Sequence, residues 1–92
     1  MESAKVRRRA IVRGRVQGVG FRWSARSEAR RLGLAGFATN RADGAVEVEM
    51  EGSPGVLDEF LDWLRRGPIG ARVEAVDVEQ LTPSGDEGFT IR

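Results

Sequence analysis

Asp43-Gly44-Ala45-Val46-Glu47-Val48-Glu49-Met50-Glu51 opens on a turn signal and then alternates without interruption. Successive side chains of an extended strand point to opposite faces. Val46, Val48 and Met50 therefore share one face, and Glu47, Glu49 and Glu51 the other. A sheet built around this strand buries one side only. Arg41-Ala42-Asp43-Gly44 reads as a hairpin in which Asp-Gly supplies the positive-φ positions, so residues 34–40 are the antiparallel partner strand.

Outward from the hairpin, two segments carry helical signals. Residues 21–32 place Ala25, Ala29 and Leu32 on one stripe, and Gly33 stands where a left-handed C-terminal cap belongs. On the other side, Ser53 is a good N-cap with Pro54 at the first helical position. Val56, Leu57, Phe60, Leu61 and Leu64 then form an apolar face that ends at Gly67-Pro68. Further strands are expected over residues 6–12, 73–81 (Val76 and Val78 inward) and, briefly, 88–92. In the first of these, Arg8, Ala10 and Val12 share a face, opposite Arg7, Arg9, Ile11 and Arg13.

The order β-α-β-β-α-β plus a short C-terminal strand predicts an α+β sandwich. Its simplest topology is the split βαβ, an antiparallel sheet with two helices on one face. The first and third strands then lie side by side, bringing Arg7, Arg9 and Arg13 near Glu47, Glu49 and Glu51. Such pairs contribute only about 0.2–1 kcal/mol each. They account for the charge on the open face without any ligand, and that face reads as mostly structural.

Length and composition narrow the chemistry. The chain has 92 residues, which suits one domain over residues 1–92 with residues 1–5 as a flexible tail. Its 40% hydrophobic and 32% charged residues are ordinary for a soluble globular protein. No apolar run approaches the roughly 18 residues of a membrane span. Met1-Glu2-Ser3-Ala4-Lys5 lacks the apolar stretch of a secretory signal, so a cytoplasmic location is expected. There is no cysteine and no histidine. Disulfides, thiolate nucleophiles, phosphohistidine chemistry and the usual zinc sites are thereby excluded. The net charge of +1 conceals a split: eleven Lys/Arg against two Glu up to Arg41, then four Arg against twelve Asp/Glu. That points to an anion-binding half or to two mutually pairing surfaces.

Gly14-Arg15-Val16-Gln17-Gly18-Val19-Gly20-Phe21-Arg22 joins the first strand to the first helix. Glycines at 14, 18 and 20 let successive N–H groups turn toward one point, an anion-binding nest. The helix start adds unpaired N–H groups and a positive dipole end, and Arg22 adds a planar fork of donors. The pattern lacks the Gly-Lys-Ser/Thr ending of a nucleotide loop and the dinucleotide fingerprint. By itself it is equally compatible with a plain corner beside a solvated Arg22. Asn40, taken alone, reads as a turn former at a strand end.

This block resembles the first signature of the acylphosphatase family. Gly36-Phe37-Ala38-Thr39-Asn40-Arg41-Ala42-Asp43-Gly44-Ala45-Val46-Glu47 is similar to its second, departing at Phe37-Ala38, where the family usually has Trp-Val. The resemblance covers nearly the whole chain. It implies a ferredoxin-like fold and hydrolysis of acyl phosphates, with no metal and no cofactor. Phosphate would be held by the N–H groups of Gln17, Gly18, Val19, Gly20 and Phe21 together with Arg22, while Asn40 would orient the attacking water. Arg22 and Asn40 are thus the implied catalytic residues. Trp23 stands where relatives vary and receives no role. Phosphate and similar oxyanions are the implied product or inhibitors.

Elementary chemistry agrees with the missing histidine. A carboxylate leaving group, with a conjugate-acid pKa near about 4, departs without a general acid. Water attack on phosphorus then needs mainly positioning and charge stabilisation. Glu28, Asp43 and the Glu47-Glu49-Glu51 row are poor catalytic candidates, because a carboxylate would repel the phosphate. The competing readings are an RNA-binding ferredoxin-like module and a non-catalytic phosphate binder. The glutamate-lined strand and the lack of an aromatic stacking pair argue against nucleic acid, and no membrane partner is expected. Similar segments occur inside large carbamoyl-transferring maturation proteins, although a chain of this length favours a free-standing enzyme. The modest apolar content suits a monomer.

Overall fold

A computed structural model describes residues 4–92. Its elements are β1 (Val6–Arg15), α1 (Phe21–Arg31), β2 (Ala35–Asn40), β3 (Val46–Gly52), α2 (Pro54–Arg66), β4 (Arg72–Leu81) and β5 (Phe89–Ile91). The sheet order is β4-β1-β3-β2-β5. The expected four-stranded antiparallel arrangement is present. The short final strand joins it parallel to β2, through Gly36↔Phe89 and Ala38↔Ile91, so the whole sheet is mixed. The tail expected at residues 1–5 falls outside the described residues as far as Ser3; Ala4 and Lys5 are exposed and precede β1.

The alternation read from β3 fixes the core. Val46, Val48 and Met50 are fully buried beside Ala10 and Val12 of β1. Both helices pack on this side. From α1 come Phe21, Ala25 and Ala29, and from α2 come Leu57, Phe60, Leu61 and Leu64. Leu32 is the C-cap residue of α1 and only partly buried. Beyond it, Gly33 has φ 71°. The Leu34 N–H donates to the Ala29 carbonyl (2.9 Å) and the Gly33 N–H to that of Arg30 (3.1 Å), a paired closure that satisfies the last carbonyls. Ser53 occupies the N-cap of α2 through its carbonyl, which accepts the Leu57 N–H at 3.0 Å; its hydroxyl makes no capping bond. Trp63 stacks on Phe60 (6.2 Å between centroids) and meets Phe21 edge-on (5.8 Å), tying α2 to the first turn of α1.

Two expectations about faces are corrected. Val78 lies opposite Ala10 in the register, on the helix side, yet it is 42% exposed. It stands on β4, an edge strand that extends beyond the cover of α2. The open face is also less open than its charges suggest, since Arg7 and Glu51 are each only 4% exposed. Residues 84–86 fold over them. The N–H groups of Ser84 and Gly85 donate to Glu51 (2.8 and 2.9 Å), while Arg7 reaches Glu51, Glu49 and Asp86. Arg9 pairs with Glu47 and Glu49 as expected. Arg13 instead pairs with Asp77 (3.0 Å) and Asp43 (3.6 Å), because it lies beyond Val12↔Val46, the last pair of β1 with β3, and diagonal to Asp77, which faces Ile11 on β4.

Candidate active site

β1 is longer than its apolar alternation suggests. It runs through Gly14, whose φ is 129° and where an added Cβ would lie 2.1 Å from the Arg72 carbonyl oxygen. Only glycine permits β4 to approach this closely, which moves the start of the loop to Val16. Val16 is 1% exposed and anchors one end; Phe21, also 1% exposed, anchors the other. Between them, Gly18 (φ 75°) and Gly20 (φ 74°) adopt left-handed backbone that a Cβ would strain. Among the described residues, the N–H groups of Gln17, Gly18, Val19 and Gly20 have no protein acceptor. The first bond of α1 runs from Ser24 N–H to the Gly20 carbonyl (3.0 Å). The N–H groups of Phe21 and Arg22 are therefore free as well, at the positive end of the helix dipole. A run of backbone donors without protein acceptors results.

Arg22 stands in the first turn of α1. It has no carboxylate partner among the described residues, in contrast to Arg7, Arg9 and Arg13. Its one hydrogen bond is a 3.3 Å donation from Nη1 to the carbonyl oxygen of Arg92. Most of the guanidinium fork is thus available beside the loop. Arg92 is itself fixed: its N–H donates to Ala38 O (2.9 Å), and its guanidinium covers the Phe37 ring at 3.9 Å. Phe37 lies on the open face opposite Glu49 and is only 7% exposed, so this aromatic is not free to stack a base. The contact between Arg22 and Arg92 had no signal in the sequence, because it depends on β5 pairing with β2.

Asn40 ends β2, on the register row Asn40↔Val46↔Val12. β1 and β2 both run antiparallel to β3, so their C-terminal ends lie at one edge of the sheet. Asn40 and the loop therefore lie at the same end of the strands, and Asn40 is exposed. By alternation with buried Ala38 it lies on the helix side, the side of Arg22. The hairpin beyond it differs from the expected Asp-Gly turn: Gly44 (φ 93°) takes the left-handed position and Asp43 does not. Asp43 acts through its side chain, accepting the Ala45 N–H at 3.1 Å. The Arg41 guanidinium, and then that N–H, hold its carboxyl down at about 2. The Gln17 side chain was not singled out from the sequence. Its Nε2 donates to the carbonyl oxygens of Arg41 (2.8 Å) and Ala45 (3.0 Å). Residues 17–22 and Asn40 thus lie at one end of the sheet, whereas Glu28 pairs with Arg31 and the Glu47-Glu49-Glu51 row with arginines of β1.

A family model described as acylphosphatase matches residues 8–91, a span that contains this whole arrangement. The chain belongs to the acylphosphatase family. The acylphosphatase of Anaeromyxobacter dehalogenans is 49% identical over 96% of this chain and 96% of its own length. That of Thermococcus kodakarensis is 46% identical over 95% and 96%. The crystal structure of acylphosphatase from Bacillus subtilis superposes with a TM-score of 0.92 at 38% identity, covering 95% of this chain and 98% of that one. The ferredoxin-like α+β fold and acylphosphatase activity follow, with acyl phosphate as substrate and phosphate as product. No helix among the described residues is long and apolar enough to cross a membrane.

Proposed function

We propose that the acylphosphatase reaction takes place at the corner between the loop and Asn40. The N–H groups of Gln17, Gly18, Val19, Gly20 and Phe21, with the Arg22 guanidinium, hold the phosphoryl oxygens. The Asn40 side-chain amide orients a water in line with the bond to the acyl oxygen. Water oxygen forms the new bond to phosphorus, and the bond to the acyl oxygen breaks. The carboxylate leaves with the electron pair, and the proton released from water passes to a phosphate oxygen. The low basicity of the departing carboxylate makes a general acid unnecessary, which suits a chain without histidine. The donors neutralise charge on the equatorial oxygens, the task that magnesium performs at other phosphoryl-transfer sites. No metal or cofactor enters this scheme.

The observation that carries the reading is the set of unpaired loop N–H groups beside an arginine without a carboxylate partner, at the strand edge that ends in Asn40. Its test separates binding from turnover. Arg22→Ala is expected to raise the inhibition constant of inorganic phosphate and to lower kcat together. Asn40→Ala is expected to lower kcat by about 10²–10³ while phosphate binds nearly as before. An Asn40→Ala enzyme changed only in KM would overturn the water-orienting role. The reading includes a single domain over residues 1–92 that works as a cytoplasmic monomer without nucleic-acid partners. It rests on the composition and on apolar side chains, Trp23, Ile69 and Val78, that are exposed at separate points of the fold. Sedimentation analysis at micromolar concentration tests the monomer.

A further inference from the structure

Gln17 stands inside the loop, yet its side chain is turned to the neighbouring hairpin. Nε2 donates both of its hydrogens, to Arg41 O at 2.8 Å and to Ala45 O at 3.0 Å. These two carbonyls also close the hairpin: Ala45 O accepts the Arg41 N–H (2.8 Å) and Arg41 O accepts the Gly44 N–H (3.2 Å). One amide therefore fills the second acceptor site of each carbonyl. Among the described residues, it makes the only hydrogen bonds between residues 16–20 and residues 40–45. The tip of that hairpin (Ala42, Asp43 and Gly44) is exposed; besides this amide it is braced to β1 by the Arg13–Asp43 ion pair at 3.6 Å.

We propose that Gln17 is a positioning residue that fixes the distance between the phosphate cradle and Asn40. The inference rests on the roles given above to the cradle and to Asn40. Attack by water requires the nucleophile in line with the bond that breaks, and a misplacement of about 1 Å can cost up to about 100-fold in rate. The cradle is held by Val16 and Phe21, which are buried beneath its two ends. Asn40 is held by the ladder of β2 and β3. The β1–β3 ladder, through Val12↔Val46, joins the strands that carry them, and among the described residues Gln17 adds the one hydrogen-bonded tie made directly from the loop to the hairpin. Loss of its donors leaves the ladders intact and removes the tie that sets the loop's position against the hairpin.

Gln17→Met keeps the length of the side chain and removes both donors; Gln17→Asn keeps the amide but is one methylene too short to reach both carbonyls. Each is compared with the unmodified protein, with Asn40→Ala and with the double variant, in benzoyl phosphate hydrolysis and in inhibition by inorganic phosphate. The expected result is a kcat lowered about 10- to 100-fold, with a phosphate inhibition constant within about twofold of the original. In the Asn40→Ala background the same change should alter kcat by less than about twofold, because coupled residues are not additive. Independent, multiplicative losses, an unchanged kcat, or a phosphate affinity that falls in step with kcat would overturn the proposal. If Gln17→Met fails to fold, Gln17→Asn carries the same readouts. If the unmodified protein shows no turnover, it is the reading of the site that fails. The tie is then judged by NMR: phosphate should shift the Asn40 side-chain amide in the unmodified protein and not in Gln17→Met. Equal shifts in both, or none in either, would overturn it.

Discussion

Glu51→Gln conserves volume and removes one charge from the clasp on the open sheet face. In the folded protein Oε1 accepts the Ser84 N–H at 2.8 Å and Arg7 Nη1 at 2.9 Å, and Oε2 accepts the Gly85 N–H at 2.9 Å. A glutamine offers one oxygen, so one of these donors must face an NH2 group instead. Hydrogen bonds to a charged group contribute about 1.5–3 kcal/mol and neutral ones about 0.5–1.5. The retained bonds therefore weaken by about 1 kcal/mol each, and the lost one costs about 2, giving roughly 4 kcal/mol in all. Breaking one partner of a buried ion pair costs about 3–5 kcal/mol, in agreement. For a domain of this size that lowers Tm by about 15–30 °C. Glu47→Gln is the control: its pairs with Arg9 and Arg41, at 3.5 and 3.3 Å, are more exposed, and about 0.2–1 kcal/mol is expected. pH supplies a second reading. Burial alone would raise the Glu51 carboxyl, but the N–H groups of Ser84 and Gly85 and the Arg7 guanidinium outweigh it and hold the group below its ordinary value of 4.5. Its stabilisation is therefore complete above pH 4.5 and is lost as pH falls through the lowered value. Urea unfolding at several pH values should show a gap between the two proteins that narrows below that point. A Glu51→Gln protein within about 1 kcal/mol of the original at pH 7, or a gap constant down to pH 3, would refute the reasoning.

Gly36→Ala is expected to be the most damaging single methyl in the sheet, since its Cβ would lie 1.9 Å from the Glu49 carbonyl oxygen at a φ of 140°. Overpacking and backbone strain together should cost at least about 3 kcal/mol, measured by chemical denaturation; a loss below 1 would show that β2 can shift. The Asp43 carboxyl should titrate by NMR with a midpoint near 2, because the Arg41 guanidinium and then the Ala45 N–H favour its charged form. Its contribution to stability is present above the ordinary value of 3.8 and declines as pH falls toward 2, and a midpoint at or above 3.8 would remove Arg41 from the hairpin's support. Phe60→Ala should lower stability by about 3–5 kcal/mol, because the ring is fully buried between Trp63 and Phe89.

The parts of the fold that were legible are those written in periodic patterns. Strict alternation in β3 marked the buried face, and the β-α-β-β-α-β order set β1 beside β3 with both helices on one side. Gly33 and Pro54 marked helix ends because backbone conformation there restricts residue choice. What escaped depends on contacts between segments without a period. Residues 82–88 alternate in nothing, so the clasp over Arg7 and Glu51 had no local trace, and a face read as solvated proved to contain a buried ion pair. Gly14 read as the start of a loop because glycine opens loops far more often than it fits beneath a neighbouring strand. Val78 alternated correctly and is exposed all the same, since no local pattern reports where a covering helix stops. At the site, the resemblance to a known family supplied Arg22 and Asn40. The Gln17 side chain lay within that same motif, but its partners are backbone carbonyls, and carbonyls leave no mark on a sequence.

The most direct test of the account follows the oxygen. Benzoyl phosphate is hydrolysed in 18O-labelled water with excess EDTA, under conditions of a single turnover, and both products are analysed by mass spectrometry. Water attack on phosphorus at a cradle of protein donors predicts fast turnover, one labelled oxygen in the phosphate and none in the benzoate. Label in the benzoate, or turnover that appears only after a divalent metal is restored, would contradict it.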